Sequence, residues 1–402
     1  MIEAMRQFGD WILGRGEASI TIPIFDGALK PNQMLEEAEV VTEFEDASDI
    51  AADRDGILVA DGSRVVRLAP PHSNGEVAAP VPSVARDHAA GGVRSPNTTV
   101  AHDPSVAGYR ATSPYEWGGK VTALCALGDG GIAVALDGKE VRVKGGALDG
   151  FVSKGPANAP FQAANAISGL GDGRLAVTDG SLQQPCDHWV HDLMGRGASG
   201  RLIAVDPKDG QARELARGLE YAFGACPMNG DILVSESWRH RLVAVGNGRP
   251  RPVLTRLPVY PSRVVAASGG GFWLTAFTAR TQLVEFVLRE TAFRRRMMKE
   301  IEPEHWIAPR LRSGESYLEP MQGAHLRTMG VLKPWAPPRS YGLVVRLSAT
   351  GQPVYSLHSR VDGINHGVVA AAEFEGALYL LAKGPGRVLR LPIADIEKEF
   401  AS

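Results

Sequence analysis

The segment CDHWVHD (186–192) carries His188 and His191 three residues apart, flanked by Asp187 and Asp192. On a helix such a pair shares a face, and two imidazoles with a carboxylate are a partial Zn²⁺ ligand set. No third ligand is identifiable in the sequence, so the plainer reading is a polar lid helix with Trp189 packed beneath it. His188 and His191 are then expected to touch substrate. Lys120, Arg263 and His366 offer positive charge and a titratable imidazole. Such groups could hold an anionic substrate or stabilise a developing oxyanion, with His366 as the acid/base. Lys120 and Arg263 also read as solvated rim charges, and a His beside Gly at a strand start also reads as structural. Cys186 lies two residues from His188, but nothing else supports thiol catalysis. The chain has no G-x-S-x-G elbow, Walker loop, GxGxxG after a strand, or HExxH.

Scattered residues become a site only if the elements between them repeat. Six segments read as strand, glycine-bearing turn, strand: 48–62, 121–138, 165–180, 223–237, 262–277 and 366–383. Their turns pair Gly with Asp, Asn, Gly or Glu, which closes hairpins at positive φ. The runs that follow are short and β-branched or aromatic. A third strand often follows (SRVVRLA, KEVRVKG, SGRLIAVDP, HRLVAVG, YGLVVRLS, GRVLRLP), then in several cases a fourth, as in ARELARG and RPVLTRL. Four antiparallel strands at a step of about 40 residues make a propeller blade. The expected fold is all-β: one six-bladed β-propeller domain over 1–402, with insertions at 70–118, 181–198 and 288–340. The last two interrupt the third and fifth blades between second and third strands, so they land on one face and roof the central channel. LRETAFRRRMMKEI (288–301) reads as a helix, its Arg294–Arg296 run a solvated face. ITIPIFDG (20–27) is expected to supply the outer strand that latches the last blade.

In a propeller the innermost strands begin near the channel mouth, so polar residues at those starts converge on the axis. The predicted ring is Asp49, Lys120, Asn165, Phe223, Arg263 and His366, with Ser48 and Ser262 beside it. Glu236 is expected to bond Arg239 or Arg241 at the next turn, and Trp238, Phe272, Trp273 and Tyr379 to pack between blades.

Composition narrows the function classes. The 402 residues are 44% hydrophobic and 22% charged, with a formal net charge of −2. Nothing argues for a nucleic-acid or membrane-surface partner. Three dispersed cysteines fit a reducing compartment, and the N-terminus shows no signal peptide, so a cytoplasmic location is expected.

From the fourth blade onward a resemblance is visible. The runs ARGLEYAFGACPMNGDILVSESWRHRLVAV and LTRLPVYPSRVVAASGGGFWLTAFTAR, with SGRLIAVDPKDG and YGLVVRLSATGQPVYSLHS, resemble the strictosidine synthase-like proteins over about 118–395. That group is related to the gluconolactonase and paraoxonase-type lactonases. The resemblance implies the six-bladed propeller, and a chemistry divided between metal-dependent hydrolases and a metal-free condensing enzyme. The lactonases hold Ca²⁺ with Glu, two Asn and Asp from blades 1, 3, 4 and 5. This sequence keeps Asn165 but has Ser48 or Asp49, Phe223, and Ser262–Arg263 at the other positions. The condensing enzyme's blade-6 Glu is matched by Val368 or Val369.

The expected function is a small-molecule hydrolase of a lactone, ester or related bond, acting in the channel with no cofactor. The catalytic group is His366, Arg263 and Lys120; the substrate contacts are Asp49, Asn165, His188, His191, Phe223 and Ser262. If a divalent cation such as calcium binds, Asn165 and Asp49 are its ligands. The alternatives are a lyase or condensing enzyme in the same pocket, and a non-catalytic metabolite-binding propeller.

Overall fold

Short hairpins that cannot bury both faces alone must stack radially, and the strand pairing shows that they do. A computed structural model describes residues 22–70, 108–246, 249–313, 319, 327–328, 331–332 and 340–401. Among these residues six four-stranded antiparallel sheets form the blades of a β-propeller. Their innermost strands are Ala47–Asp53, Val121–Ala126, Ala164–Gly169, Ala222–Met228, Val259–Ala266 and Val368–Phe374. Each is joined to the second strand of its blade through a turn whose glycine has positive φ: Gly56, Gly130, Gly173, Gly230, Gly270 and Gly376. Second strands such as Ile132–Leu136 and Ala377–Ala382 are buried along their whole length, because neighbouring blades cover both of their faces.

The ring closes by borrowing from the other end of the chain. The last blade runs Val368–Phe374, Ala377–Ala382, Arg387–Pro392, and its outer strand is Glu39–Glu43. Glu43 and Glu39 pair with Arg387 and Arg390 across that seam, at 2.9 and 3.0 Å. The expected latch at 20–27 is therefore corrected to Glu39–Glu43. Residues 20–21 lie outside the described residues, and Ile22–Asp26 is not a strand. Its Phe25 instead stacks on Tyr341 and meets His358 edge-on, capping the flank of blade 5. Both segments are short, and the arginines on the free edge of Arg387–Pro392 match the glutamates of Glu39–Glu43.

Residues 71–107 of the first expected insertion lie outside the described residues, while its end, Arg110–Glu116, is the outer strand of blade 1. The second insertion forms helix α1, Trp189–Gly195, after a short 3₁₀ turn at Cys186–His188. The third begins earlier than expected, with two helices, α2 (Gln282–Arg289) and α3 (Thr291–Glu300), in place of one. Both enter between second and third strands of their blades. Among the described residues no helix is long and apolar enough to cross a membrane.

Candidate active site

Every innermost strand is bulged near its start. The pairing register slips at Ser48, Thr122, Asn165, Phe223 and Val369, and over a longer stretch between Pro261 and Val264. A bulge bends the strand and re-aims the extra residue. Here it presents a backbone carbonyl or a side chain to the axis from all six blades. Four bulge side chains also reach the next blade's backbone. Ser48 Oγ donates to the Val121 carbonyl (2.6 Å), Thr122 Oγ1 to Ala164 (2.7 Å), Asn165 Nδ2 to Ala222 (3.0 Å) and Ser262 Oγ to Val368 (3.0 Å).

Arg263 fills the axis itself. Its Nη1 donates to the carbonyls of Ser48 (3.2 Å) and Val369 (3.3 Å), and its Nη2 to those of Thr122 (3.0 Å) and Asn165 (2.6 Å). The guanidinium lies over the Phe223 ring at 5.1 Å, and Nε stands 3.2 Å from Asp49 Oδ2. One side chain from blade 5 thus joins the other five blades. Gly224 permits it: a Cβ there would meet the Arg263 Cα at 2.7 Å. Asp49 is buried beneath, accepting from the Leu124 and Ile50 amides at 2.8 and 2.9 Å. Burial pushes its carboxyl up to about 6, against the opposing pull of Arg263 and those amides.

Above this plug lies a cavity of about 220 Å³ under α1 and the Leu311 segment. One wall is aromatic: Trp189, Tyr221, Phe223, Trp238 and Phe277. Tyr221 stacks on Trp238 at 4.4 Å, and Trp189 meets Phe277 edge-on at 5.3 Å. The Trp238 indole donates to Asp192 Oδ1 (2.7 Å), which fastens α1 to blade 4. The facing wall is charged, with Asp46, Lys120, Asp187 and Lys383. Lys120 Nζ pairs with Asp46 Oδ1 at 2.9 Å and Asp187 Oδ1 at 3.5 Å. Burial would lower its ammonium, but the hydrogen bond to Asp46 and the charge of Asp187 leave its pKa raised.

Of the predicted residues, Lys120, Asn165, Phe223 and Arg263 line this cavity, as does Ser48. Arg263 stands elsewhere in function than expected: its four terminal N–H groups are spent on backbone carbonyls, so it offers substrate its charge and not its donors. Asp49 lies behind Arg263. Ser262 is fully buried, its hydroxyl bonded to Val368 and Thr275. His366 is displaced from the expected ring, and Val369 takes the axial place in blade 6. The imidazole Nε2–H donates to the Arg360 carbonyl (2.6 Å), which leaves Nδ1 to accept from Ser340 Oγ (2.6 Å), away from the cavity lining. Burial lowers its pKa.

His188 and His191 stack on each other at 4.9 Å, and His191 packs against Trp306 at 4.7 Å. His191 faces an adjoining cavity, while their neighbours Asp187 and Trp189 line the central one. Among the described residues no group of three or more His, Cys, Asp or Glu could hold a metal ion. Glu236 bonds Arg241 Nε at 2.6 Å, as expected.

Sequence reasoning missed Lys383, Asp46 and the lining role of Trp238. Lys383 directly follows the end of its blade's second strand and Trp238 stands two residues beyond the end of another; inspection of those strand ends, which reach the channel mouth, would have found both.

No family model matches the chain. It is 24% identical over 226 residues to the adipocyte plasma membrane-associated protein of Salmo salar, a match covering 52% of this chain and 46% of that protein. The chain thus spans about half the length of the curated relative it matches. Among solved structures it is similar to a putative gluconolactonase (TM-score 0.49, 11% identity, 88% of this chain and 90% of that one). It is also similar to a gluconolactonase from Xanthomonas campestris (0.49, 12%, 92% and 95%) and a regucalcin from Agrobacterium tumefaciens (0.47, 10%, 88% and 92%). The six blades rest on the strand pairing above and not on these likenesses.

Proposed function

We propose that the protein is a hydrolase of small molecules bearing a lactone, ester or related bond, acting in the central cavity without an axial Ca²⁺. What carries the reading is the two-faced cavity: an aromatic wall opposite the Lys120–Asp46–Asp187 cluster, over a sealed axis and under two insertions. The aromatic wall takes the apolar body of the substrate. Lys120 Nζ takes the carbonyl oxygen and holds the negative charge that develops on it, and Arg263 adds positive potential from below. Asp46 or Asp187 is the base for the attacking water, each being an ionisable carboxylate in contact with Lys120. This arrangement favours anionic substrates.

A hard cation such as Ca²⁺ takes six to eight oxygen ligands. Here the axial carbonyls are bonded to a guanidinium, Asp49 faces that guanidinium, and Asn165 Oδ1 accepts from Thr178 at 2.7 Å. These donors do not fit a resident dication.

The test is a panel of γ- and δ-lactones and aryl esters, assayed in EDTA and in added Ca²⁺. Turnover of at least one substrate is expected to be equal in both. Lys120→Met should lower kcat/KM by ~10²-fold, the scale of losing one oxyanion donor. Turnover lost in EDTA and restored by Ca²⁺ would overturn the metal-free reading; an inert panel would overturn the hydrolase.

A further inference from the structure

Five charged side chains line the cavity, and four of them are tied. Asp46 and Asp187 hold Lys120, and Arg263 is spent on backbone. Lys383 is the exception: among the described residues its Nζ has no hydrogen-bond or ion-pair partner. Its backbone is fixed, with the amide donating to the Gly367 carbonyl at 2.9 Å, directly after the fully buried strand Ala377–Ala382. The side chain therefore rises from a rigid base into a half-apolar cavity. The corresponding positions in blades 1, 3 and 4 are Gly62, Gly180 and Ser237, so no repeat-wide structural duty calls for a long amine here.

We propose that Lys383 is a reactive amine that condenses reversibly with the carbonyl group of an aldehyde or ketone bound in the cavity, an activity distinct from hydrolysis. An amine is nucleophilic only when unprotonated, and enzymes achieve this by desolvation and by a neighbouring cation. Both are present. Burial lowers the Lys383 pKa, and the charges of Lys120 and Arg263 lower it further, against the pull of Asp187 and Asp46. The Nζ lone pair forms the C–N bond while the carbonyl π pair moves to oxygen. Oxygen gains a proton and nitrogen loses one, giving the carbinolamine. A second proton on its hydroxyl lets water leave. One amine, one carbonyl and one proton yield one iminium ion and one water, with no change of oxidation state. Asp46 and Asp187 face the iminium charge and can relay these protons. The aromatic wall selects carbonyl compounds with a planar or apolar body.

The experiment uses the full chain with 4-carboxybenzaldehyde and sodium cyanoborohydride, which reduces the iminium ion to a stable secondary amine, followed by peptide mapping. Labelling at Lys383 is expected to exceed that at exposed Lys208, since a lowered pKa raises the neutral, nucleophilic fraction. Its labelling rate should reach half-maximum below the ordinary lysine value of about 10.4. Lys383→Arg should remove that adduct with the unfolding midpoint retained. Label distributed by exposure, or a Lys383 profile that matches Lys208, would overturn the proposal, and both are read on the wild-type chain. No ester or lactone is used, so failure here is distinct from failure of the hydrolase reading.

Discussion

Replacing Arg263 by Met keeps a side chain of similar length at the axis and removes its charge and donors. Four carbonyls from four blades lose their partner, and Asp49 is left buried without its cation. Removing one member of a buried ion pair costs about 3–5 kcal/mol. Each unpaired buried carbonyl adds about 1–3 kcal/mol where water cannot reach it, but the cavity above lets water rehydrate some of them. The expected loss is therefore about 3–5 kcal/mol, a large share of a typical folding free energy. Urea unfolding followed by tryptophan fluorescence and circular dichroism measures it. The pH dependence has a definite sign. Asp49 is already raised from 3.8 to about 6 in the folded chain, and without Arg263 it must rise further. A carboxyl with a raised folded pKa favours the folded state at low pH and loses that advantage as pH rises through the folded value. The Arg263→Met penalty should thus be larger at pH 7.5 than at pH 5.5. Asp49→Asn added to Arg263→Met should recover roughly 1 kcal/mol or more by neutralising the stranded group. A loss below about 1 kcal/mol at pH 7.5, or a penalty indifferent to pH, would refute the argument that Arg263 is the axial tie.

His366→Ala should leave turnover of a found substrate near the wild-type level, against the ~10²–10⁴-fold loss expected on removing a general acid–base; a loss on that scale would return the imidazole to the chemistry. Burial holds His358 down to about 4 and His240 down to about 3, where Arg280 adds to the effect. Stability they contribute is complete above the unfolded value of 6.5 and falls as pH drops through it toward the folded values. Each contributes a slope of up to about 1.4 kcal/mol per pH unit, which His358→Gln should reduce by one such unit in denaturation series between pH 6.5 and 5. An unchanged slope would show that His358 protonates without cost. Cys186 lines the cavity, yet burial pushes its thiol up to about 12. Iodoacetamide at pH 7.5 should alkylate it far more slowly in the folded than in the urea-unfolded chain, and equal rates would contradict the buried placement.

The blades were legible because their signals are local. A glycine at positive φ flanked by short β-branched runs specifies a hairpin whatever surrounds it, and six such hairpins leave few ways to bury their faces. Asn165, Phe223 and Arg263 fell on the axis for the same reason, being at the strand starts. The misplacements came from offsets of one to three residues. In blade 1 the bulge puts Ser48 and not Asp49 on the axis; in blade 2 it puts Thr122 there and leaves Lys120 on the wall; in blade 6 it puts Val369 there and His366 outside.

Sequence alone therefore determined the hairpins, their number and the roofing insertions. Tertiary structure decided which carbonyls converge, that one guanidinium takes four of them, that Glu39–Glu43 closes the ring, and that Lys383 has no partner among the described residues. The reason is physical. Turn chemistry is set by neighbours in the chain, whereas bulge register, charge pairing and desolvation are set by residues hundreds of positions apart meeting at one point.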